Sequence, residues 1–426
     1  MPNIPIKEAG SGSGPGFTSR SNADHYGRGG PDTGGVGTGE PGGGGGLGAV
    51  WMLGLGTFAV GTDAFVVAGF LPEMAESLSV STATAGLSIT VFAVAYAVAA
   101  PVLATVTARV PRRTLLVAAL LVLAVANLGS AVAPGIGLLL GARVVAALGA
   151  AVYTPNAGAV SAALVRPPLR ARALAIVVGG LTVATALGVP LGNVAVQWLN
   201  WRAALGIVAG LCVLVAVWLL RLLPSLPGNP PVPLRTRLAV LARPAVATIL
   251  PVTVVGMAAG YVAYAYTVPA LASVGVAEHA LTLMLFLYGA GAVAGNVASG
   301  YATDRWGPAR VLAAGYTSMA VALAALAWSA ASGHHAPGLV GVLVLLWGAG
   351  TWCQTPAQQH RLIDAAPGEA PLVVSLNASA IYAGIGLGTV LGGAAVTAPD
   401  GTIFGLGAAI AVGALAFLLV SSGMRR

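Results

Sequence analysis

"LGAVWMLGLGTFAVGTDAFVVAGFL", residues 47–71, carries one charged side chain, Asp63, in a run long enough to cross a bilayer. A helix needs about 20 apolar residues to span a hydrocarbon core of roughly 30 Å. The span within this run is placed at about 48–71, and eleven more follow at about 83–106, 114–133, 136–162, 172–196, 201–222, 244–270, 281–302, 309–330, 338–360, 371–397 and 402–423. Period-two alternation is absent, so these are helices and not barrel strands. Composition agrees: 57% of the 426 residues are hydrophobic, 8% are charged and the mean hydropathy is +0.88. A soluble domain carries roughly 25% charged residues.

The stretch "RLLPSLPGNPPVPLRTRLAVLAR" (221–243) is Pro-rich and basic and divides the spans six plus six. Two short matches recur across that divide at nearly one offset. "LATVTARVPRR" (103–113) answers to "ASGYATDRWGPAR" (298–310), and "LGVPLGN" (187–193) to "LGTVLGG" (387–393). The expected fold is therefore all-α, with twelve transmembrane helices in two pseudo-symmetric six-helix bundles. The expected parts are a disordered Gly-rich tail (1–46), a first bundle (47–222), a linker (223–243) and a second bundle (244–426). The tail holds too little apolar surface to offset the entropy of ordering and has no signal-peptide core.

Charge fixes the expected orientation. Fifteen arginines, Arg361, Arg425 and Arg426 among them, occupy the loops after the even-numbered spans and the C-terminus, whereas the opposite loops hold Arg202 alone. This bias places both termini in the cytoplasm and the chain in the plasma (inner) membrane. It also accounts for the net charge of +8. The basic residues are dispersed over separate segments, so no nucleic-acid partner is expected. Cys212 and Cys353 lie in spans of opposite halves and make neither a disulfide framework nor a metal site. No HExxH, phosphate-loop or GxSxG pattern occurs, so neither an enzyme nor a cofactor is expected.

On these residues the chain resembles the major facilitator superfamily, whose signature after spans two and eight is G-x-x-x-D-R-x-G-R/K-R/K. Gly300, Asp304, Arg305 and Gly307 match it in the second half. In the first half Arg109, Arg112 and Arg113 fit, but Ala104, Ala108 and Pro111 replace its Gly, Asp and second Gly. "GTDAFVVAGFLPEMAESLSVS" (61–81) is similar to the opening of the twelve-span, proton-coupled drug-efflux branch, which includes chloramphenicol-type exporters. "RVVAALGAA" (143–151), "GVPLG" (188–192) and "SLNASAIYAGIGLGTVLGG" (375–393) resemble motifs of its fourth, fifth and eleventh spans. The resemblance covers about residues 48–423. It implies a secondary transporter working by alternating access, with Gly188, Pro190 and Gly192 in an antiporter-type helix motif.

Two ionisable residues sit well inside the expected spans, Asp63 in the first and Arg143 in the fourth. An intramembrane charge costs on the order of 3 kcal/mol and must face a cavity or a partner. Counting 1.5 Å per residue from the span ends puts both roughly 12 Å below the outer boundary. The pair can serve proton coupling, with Asp63 as carrier and Arg143 as its tuner; the alternative is a fixed ion pair that ties two helices. Arg109, Arg112, Arg113, Gly300, Asp304, Arg305 and Gly307 can form a cytoplasmic gate that a salt bridge between halves latches, or merely set topology. Phe65, Tyr153, Asn156, Tyr261, Tyr264, Tyr288, Asn296, Trp347, Trp352, Gln354 and Asn377 are candidate substrate contacts, an aromatic and amide surface suited to amphipathic molecules. The expected protein is a monomeric, proton-coupled antiporter exporting small amphipathic organic compounds. Export of a metabolite such as a sugar or nucleoside, or a non-transporting membrane sensor, are the alternatives. Its partners are then a small-molecule substrate, protons and the lipid bilayer.

Overall fold

The computed structural model describes residues 45–228, 233–334 and 336–423, without the side chains of 171, 237, 238, 371 and 423. The expected tail over 1–46, apart from its last two residues, lies outside this range, as do residues 229–232 of the linker, Arg425, Arg426 and the Arg237 side chain.

Among the described residues twelve helices are long and apolar enough to cross a membrane: α1 (Leu47–Gly69), α2 (Thr82–Val106), α3 (Arg112–Ala131), α4 (Ile136–Ala163), α5 (Pro167–Trp198), α6 (Trp201–Leu222), α7 (Pro244–Tyr264), α8 (Glu278–Trp306), α9 (Pro308–Ser332), α10 (Pro337–Ala365), α11 (Leu372–Ala395) and α12 (Thr402–Ser422). The protein is a multi-pass membrane protein. Their starts carry ordinary stop-and-start chemistry. Ser81 and Asn200 cap α2 and α6 by accepting from the backbone N–H of Thr84 and Ala203, and prolines open α7, α9 and α10, where an N–H would go unpaired anyway.

Helix packing repeats with a shift of six. α1 packs on α5 and α6, α2 on α4, and α3 on α4 and α6; correspondingly α7 packs on α11 and α12, α8 on α10, and α9 on α10 and α12. The two bundles meet along α2 with α11 and along α5 with α8, again equivalent pairs. α1 and α7 are the most enclosed helices, with 78% and 67% of their most apolar windows buried, against 28% for α2 and 33% for α5. Asp63 therefore rides on a central helix.

Small residues let that helix be enclosed. A Cβ at Gly192 would stand 2.4 Å from the Val66 carbonyl oxygen, and one at Gly188 3.1 Å from the Phe65 Cβ. Thr57 adds a hydrogen bond from α1 to the Val177 carbonyl at 2.6 Å. Pro190 lies inside α5, which continues as one helix through it.

The structure corrects two boundaries. α7 ends at Tyr264 and not near 270, and a separate short helix follows over Thr267–Ser273. α10 does not stop near 360; a single irregular residue at Cys353 separates Pro337–Trp352 from Gln354–Ala365, and the helix runs on to Ala365. Arg361 is accordingly not a loop residue. It is 8% exposed and donates to Gln358 Oε1 at 2.9 Å. The span was cut short because the apolar run ends at Trp352, while "QTPAQQHRLIDA" is amphipathic and helical by packing.

Gly192→Ala should force α1 and α5 apart, because the obstacle is backbone, and lower stability by about 1–3 kcal/mol. Gly179→Ala, in the same helix with nothing within 4 Å of its Cβ, should be neutral or gain up to about 1 kcal/mol. Thermal unfolding of the purified proteins in detergent measures the contrast.

Candidate functional site: a buried ion pair beside an aromatic cluster

Asp63 on α1 and Arg143 on α4 are 0% and 1% exposed, and Arg143 Nη1 donates to Asp63 Oδ1 at 2.6 Å. Arg143 Nη2 also donates to the Asp63 carbonyl oxygen at 3.2 Å. The Phe92 ring of α2 lies under the guanidinium, 4.5 Å from Cζ to centroid. Asp63 Oδ2 and Arg143 Nε have no hydrogen-bond partner. The pair is thus desolvated but incompletely satisfied. Attraction between two charges in a low-dielectric interior barely offsets the loss of hydration, so a small change in surroundings can reverse the balance.

The candidate contacts divide into three groups. Tyr261, Tyr264, Tyr288 and Trp347 form one aromatic cluster in the second bundle, with centroid separations of 4.9 Å, 4.5 Å and 4.8 Å along the series. Trp352 meets Phe65 of α1 edge to face at 5.9 Å, across the two bundles. The hydroxyls of Tyr261 and Tyr264 are buried without partners, the Tyr288 hydroxyl lies close to the Thr351 and Trp352 side chains, and Trp347 Nε1 donates to the Gly260 carbonyl. A buried unpaired polar group costs about 1–3 kcal/mol, and two side by side mark a place where a bound molecule can supply the missing bonds.

The second group is engaged internally. Tyr153 donates to the Leu53 carbonyl at 3.2 Å. Asn156 accepts from Arg112 at 2.7 Å, which places this gate arginine and this candidate contact together in the first bundle. Gln354 donates to the Thr351 carbonyl and Met257 sulfur and accepts from Tyr316. Asn377 accepts from Thr253 at 3.0 Å but leaves its amide nitrogen unpartnered. Asn296 is half-buried on α8.

The third group is the gate. Gly307 joins α8 to α9 with φ +83°, a conformation that favours glycine; in the first half Pro111 takes the equivalent place at φ −53° and caps α3. Arg113 donates to the Leu220 carbonyl, and Arg109 is exposed. Asp304 and Arg305 are exposed, and among the described residues neither joins an ion pair. A cleft of about 280 Å³ opens beside Gly300, Thr303 and Asp304, with Pro356 and His360 of α10 on its far wall. Among the described residues no ion pair latches the bundles at this end, here termed the basic end.

Contacts between bundles instead occupy the opposite end and the middle. Thr282 of α8 donates to Asn193 of α5 at 2.8 Å. Gly289 lies against Ala186, Gly386 against Ala93, and Tyr96 of α2 stacks on Tyr382 of α11 at 3.8 Å. Asn193, Thr282, Tyr96 and Tyr382 were not anticipated. The one signal for Tyr382 was a tyrosine in the otherwise small-residue run 375–393.

The profile of the Major Facilitator Superfamily matches residues 53–389. The chain belongs to this superfamily. Among its relatives, the "Uncharacterized MFS-type transporter YbcL" of Bacillus subtilis (strain 168) is 32% identical over 347 residues, 81% of this chain and 87% of that one. The "Chloramphenicol resistance protein" of Streptomyces lividans is 32% identical over 349 residues, 80% and 87% of the two chains. A crystal structure of a D-xylose-proton symporter matches the fold with a TM-score of 0.69 at 16% identity, covering 87% of this chain and 97% of the other. Major facilitator proteins are transporters, and a small-molecule substrate follows from membership.

Arg143→Met strands the buried Asp63 carboxylate and should destabilise the protein by about 3–5 kcal/mol, with Asp63→Asn, Arg143→Met recovering most of the loss. Chemical unfolding of the single and double variants yields the coupling energy; additive losses would show that the two charges do not depend on each other.

Proposed function

We propose that this major facilitator is a proton-coupled antiporter that exports small amphipathic organic compounds by alternating access. The observation that carries the reading is the sealed Asp63–Arg143 pair with its unpartnered carboxylate oxygen. Asp63 is the proton carrier. Both groups lie in the first bundle, so rocking changes the access of water to the pair instead of parting it, and the carboxyl exchanges its proton in the conformation that admits water. Carrier and substrate then alternate because they draw on one conformational cycle.

In this reading the basic end faces the cytoplasm with both termini, the chain sits in the plasma membrane, and bundles 47–222 and 244–426 move about the linker 223–243. The unpaired gate residues Asp304 and Arg305 belong to an inward-facing state in which the seam between α2 and α11 is still closed, and their ion pairing would latch the outward-open one. The protein works as a monomer.

The substrate lies against Phe65, Trp352 and the tyrosine cluster. Aromatic faces supply apolar burial, and the unpartnered hydroxyls of Tyr261 and Tyr264 orient polar groups on the ligand. No arginine or lysine is among these contacts, which disfavours strongly acidic substrates and leaves neutral or cationic compounds with aromatic surface. Similarity to a chloramphenicol resistance protein supports the same chemistry.

Expression in a drug-sensitive host against a compound panel tests the proposal. Cells carrying the protein should exclude some compounds, and a protonophore or Asp63→Asn should lower the protection at least about tenfold. Full protection by Asp63→Asn would remove Asp63 from the coupling role, and protection that survives the protonophore would point to another energy source.

A further inference from the structure

A row of buried side chains leads from the ion pair along α2. Asp63 and Arg143 are 0% and 1% exposed; Phe92, beneath the guanidinium, is 2% exposed; Tyr96, one turn along α2, is 3% exposed. Beyond them stands Tyr382 of α11, half-buried, with its ring stacked on Tyr96 at 3.8 Å and tilted toward Phe92 at 6.1 Å. Arg143 and Cys212, which also lie close to Asp63, come from the first bundle; Tyr382 reaches the same electrostatic neighbourhood from the second. It also stands near Tyr261, the first ring of the tyrosine cluster.

Of the contacts between bundles described above, the Tyr96–Tyr382 stack is nearest the basic end. Thr82 and Ala395 mark the opposite end of α2 and α11, and the two tyrosines are about 20 Å in from there at 1.5 Å per residue. From the basic end, the route to Asp63 along α2 meets Tyr382 and Tyr96 first, then Phe92, then Arg143. No hydrogen bond or ion pair holds Tyr382 to the first bundle among the described contacts, so the seal is made by ring faces. A ring stack adds little beyond the area it buries, so it parts readily when α11 leaves α2.

We infer that Tyr382 is a positioning residue for proton coupling: its ring, stacked on Tyr96, closes the water path from the basic end to Asp63 and opens it only when the bundles separate. This rests on the reading of Asp63 as proton carrier. It assigns to the second bundle a direct means of timing a titration that happens in the first.

Proton leak without any substrate tests it. Purified wild type, Tyr382→Ala, Tyr382→Phe and Asp63→Asn, Tyr382→Ala are placed in proteoliposomes with a trapped pH dye, and a pH gradient is imposed under a potassium–valinomycin clamp. Tyr382→Ala should admit protons at least about tenfold faster than wild type, Tyr382→Phe should stay tight because the stacking face remains, and adding Asp63→Asn should abolish the leak. A tight Tyr382→Ala, or a leak that persists without Asp63, overturns the inference. Elution of each variant as a single species in detergent separates these results from misfolding. Since the assay needs no substrate, a tight Tyr382→Ala in a chain whose export stops with protonophore discards the seal alone, whereas export indifferent to protonophore discards the coupling reading beneath it.

Discussion

A carboxylate and a guanidinium held out of water against each other set the terms for the rest of this structure. Asp63 and Arg143 are almost fully enclosed, and neither is fully hydrogen-bonded. Removing two such ions from water costs several kcal/mol each, and their attraction roughly offsets the loss only while they touch. The arrangement is therefore permanent only if the helices carrying it are. α1 is held to α5 by glycine-mediated contact and by Thr57, whereas α4 approaches it chiefly through the ion pair and the Tyr153 hydroxyl.

The six-helix repeat gives the pair a mechanical context. Equivalent helices pack equivalently in both bundles, and the bundles touch along two equivalent pairs, α2 with α11 and α5 with α8. Such seams can hinge. In this state the seams are made by small residues, one threonine–asparagine hydrogen bond and a tyrosine stack, and none of the three ion pairs among the described residues crosses between bundles. Weak, short-range contacts of this type are what a reversible closure needs.

Sequence pattern reached the fold because its signals are local and repeated: run length, the position of prolines and arginines, and two motif copies. Equal depth for Asp63 and Arg143 could be counted from span ends, and the structure puts them in contact. Gathering Tyr261, Tyr264, Tyr288 and Trp347 into one cluster was beyond such counting, since Tyr261 and Tyr264 neighbour each other on α7 but only the packing of α7, α8 and α10 brings Tyr288 and Trp347 to them. Arg361 was misplaced for a different reason: hydropathy falls at Gln354 although the helix continues, so a buried arginine looked like a loop residue. The Tyr96–Tyr382 stack spans two halves of the chain, and no periodicity within either helix announces it. The bond from Arg112 to the Asn156 amide oxygen joins a gate residue to a candidate substrate contact, a link between two helices that neither motif announces.

The central claim is that Asp63 changes protonation when the bundles change position. Infrared difference spectroscopy of the purified protein, crosslinked in turn with its basic end open and closed, reads this directly through the carboxyl stretch that Asp63→Asn removes. A protonated-carboxyl band assigned to Asp63 in one state and absent from the other is the result the account predicts; a carboxylate that stays ionised against Arg143 in both would contradict it.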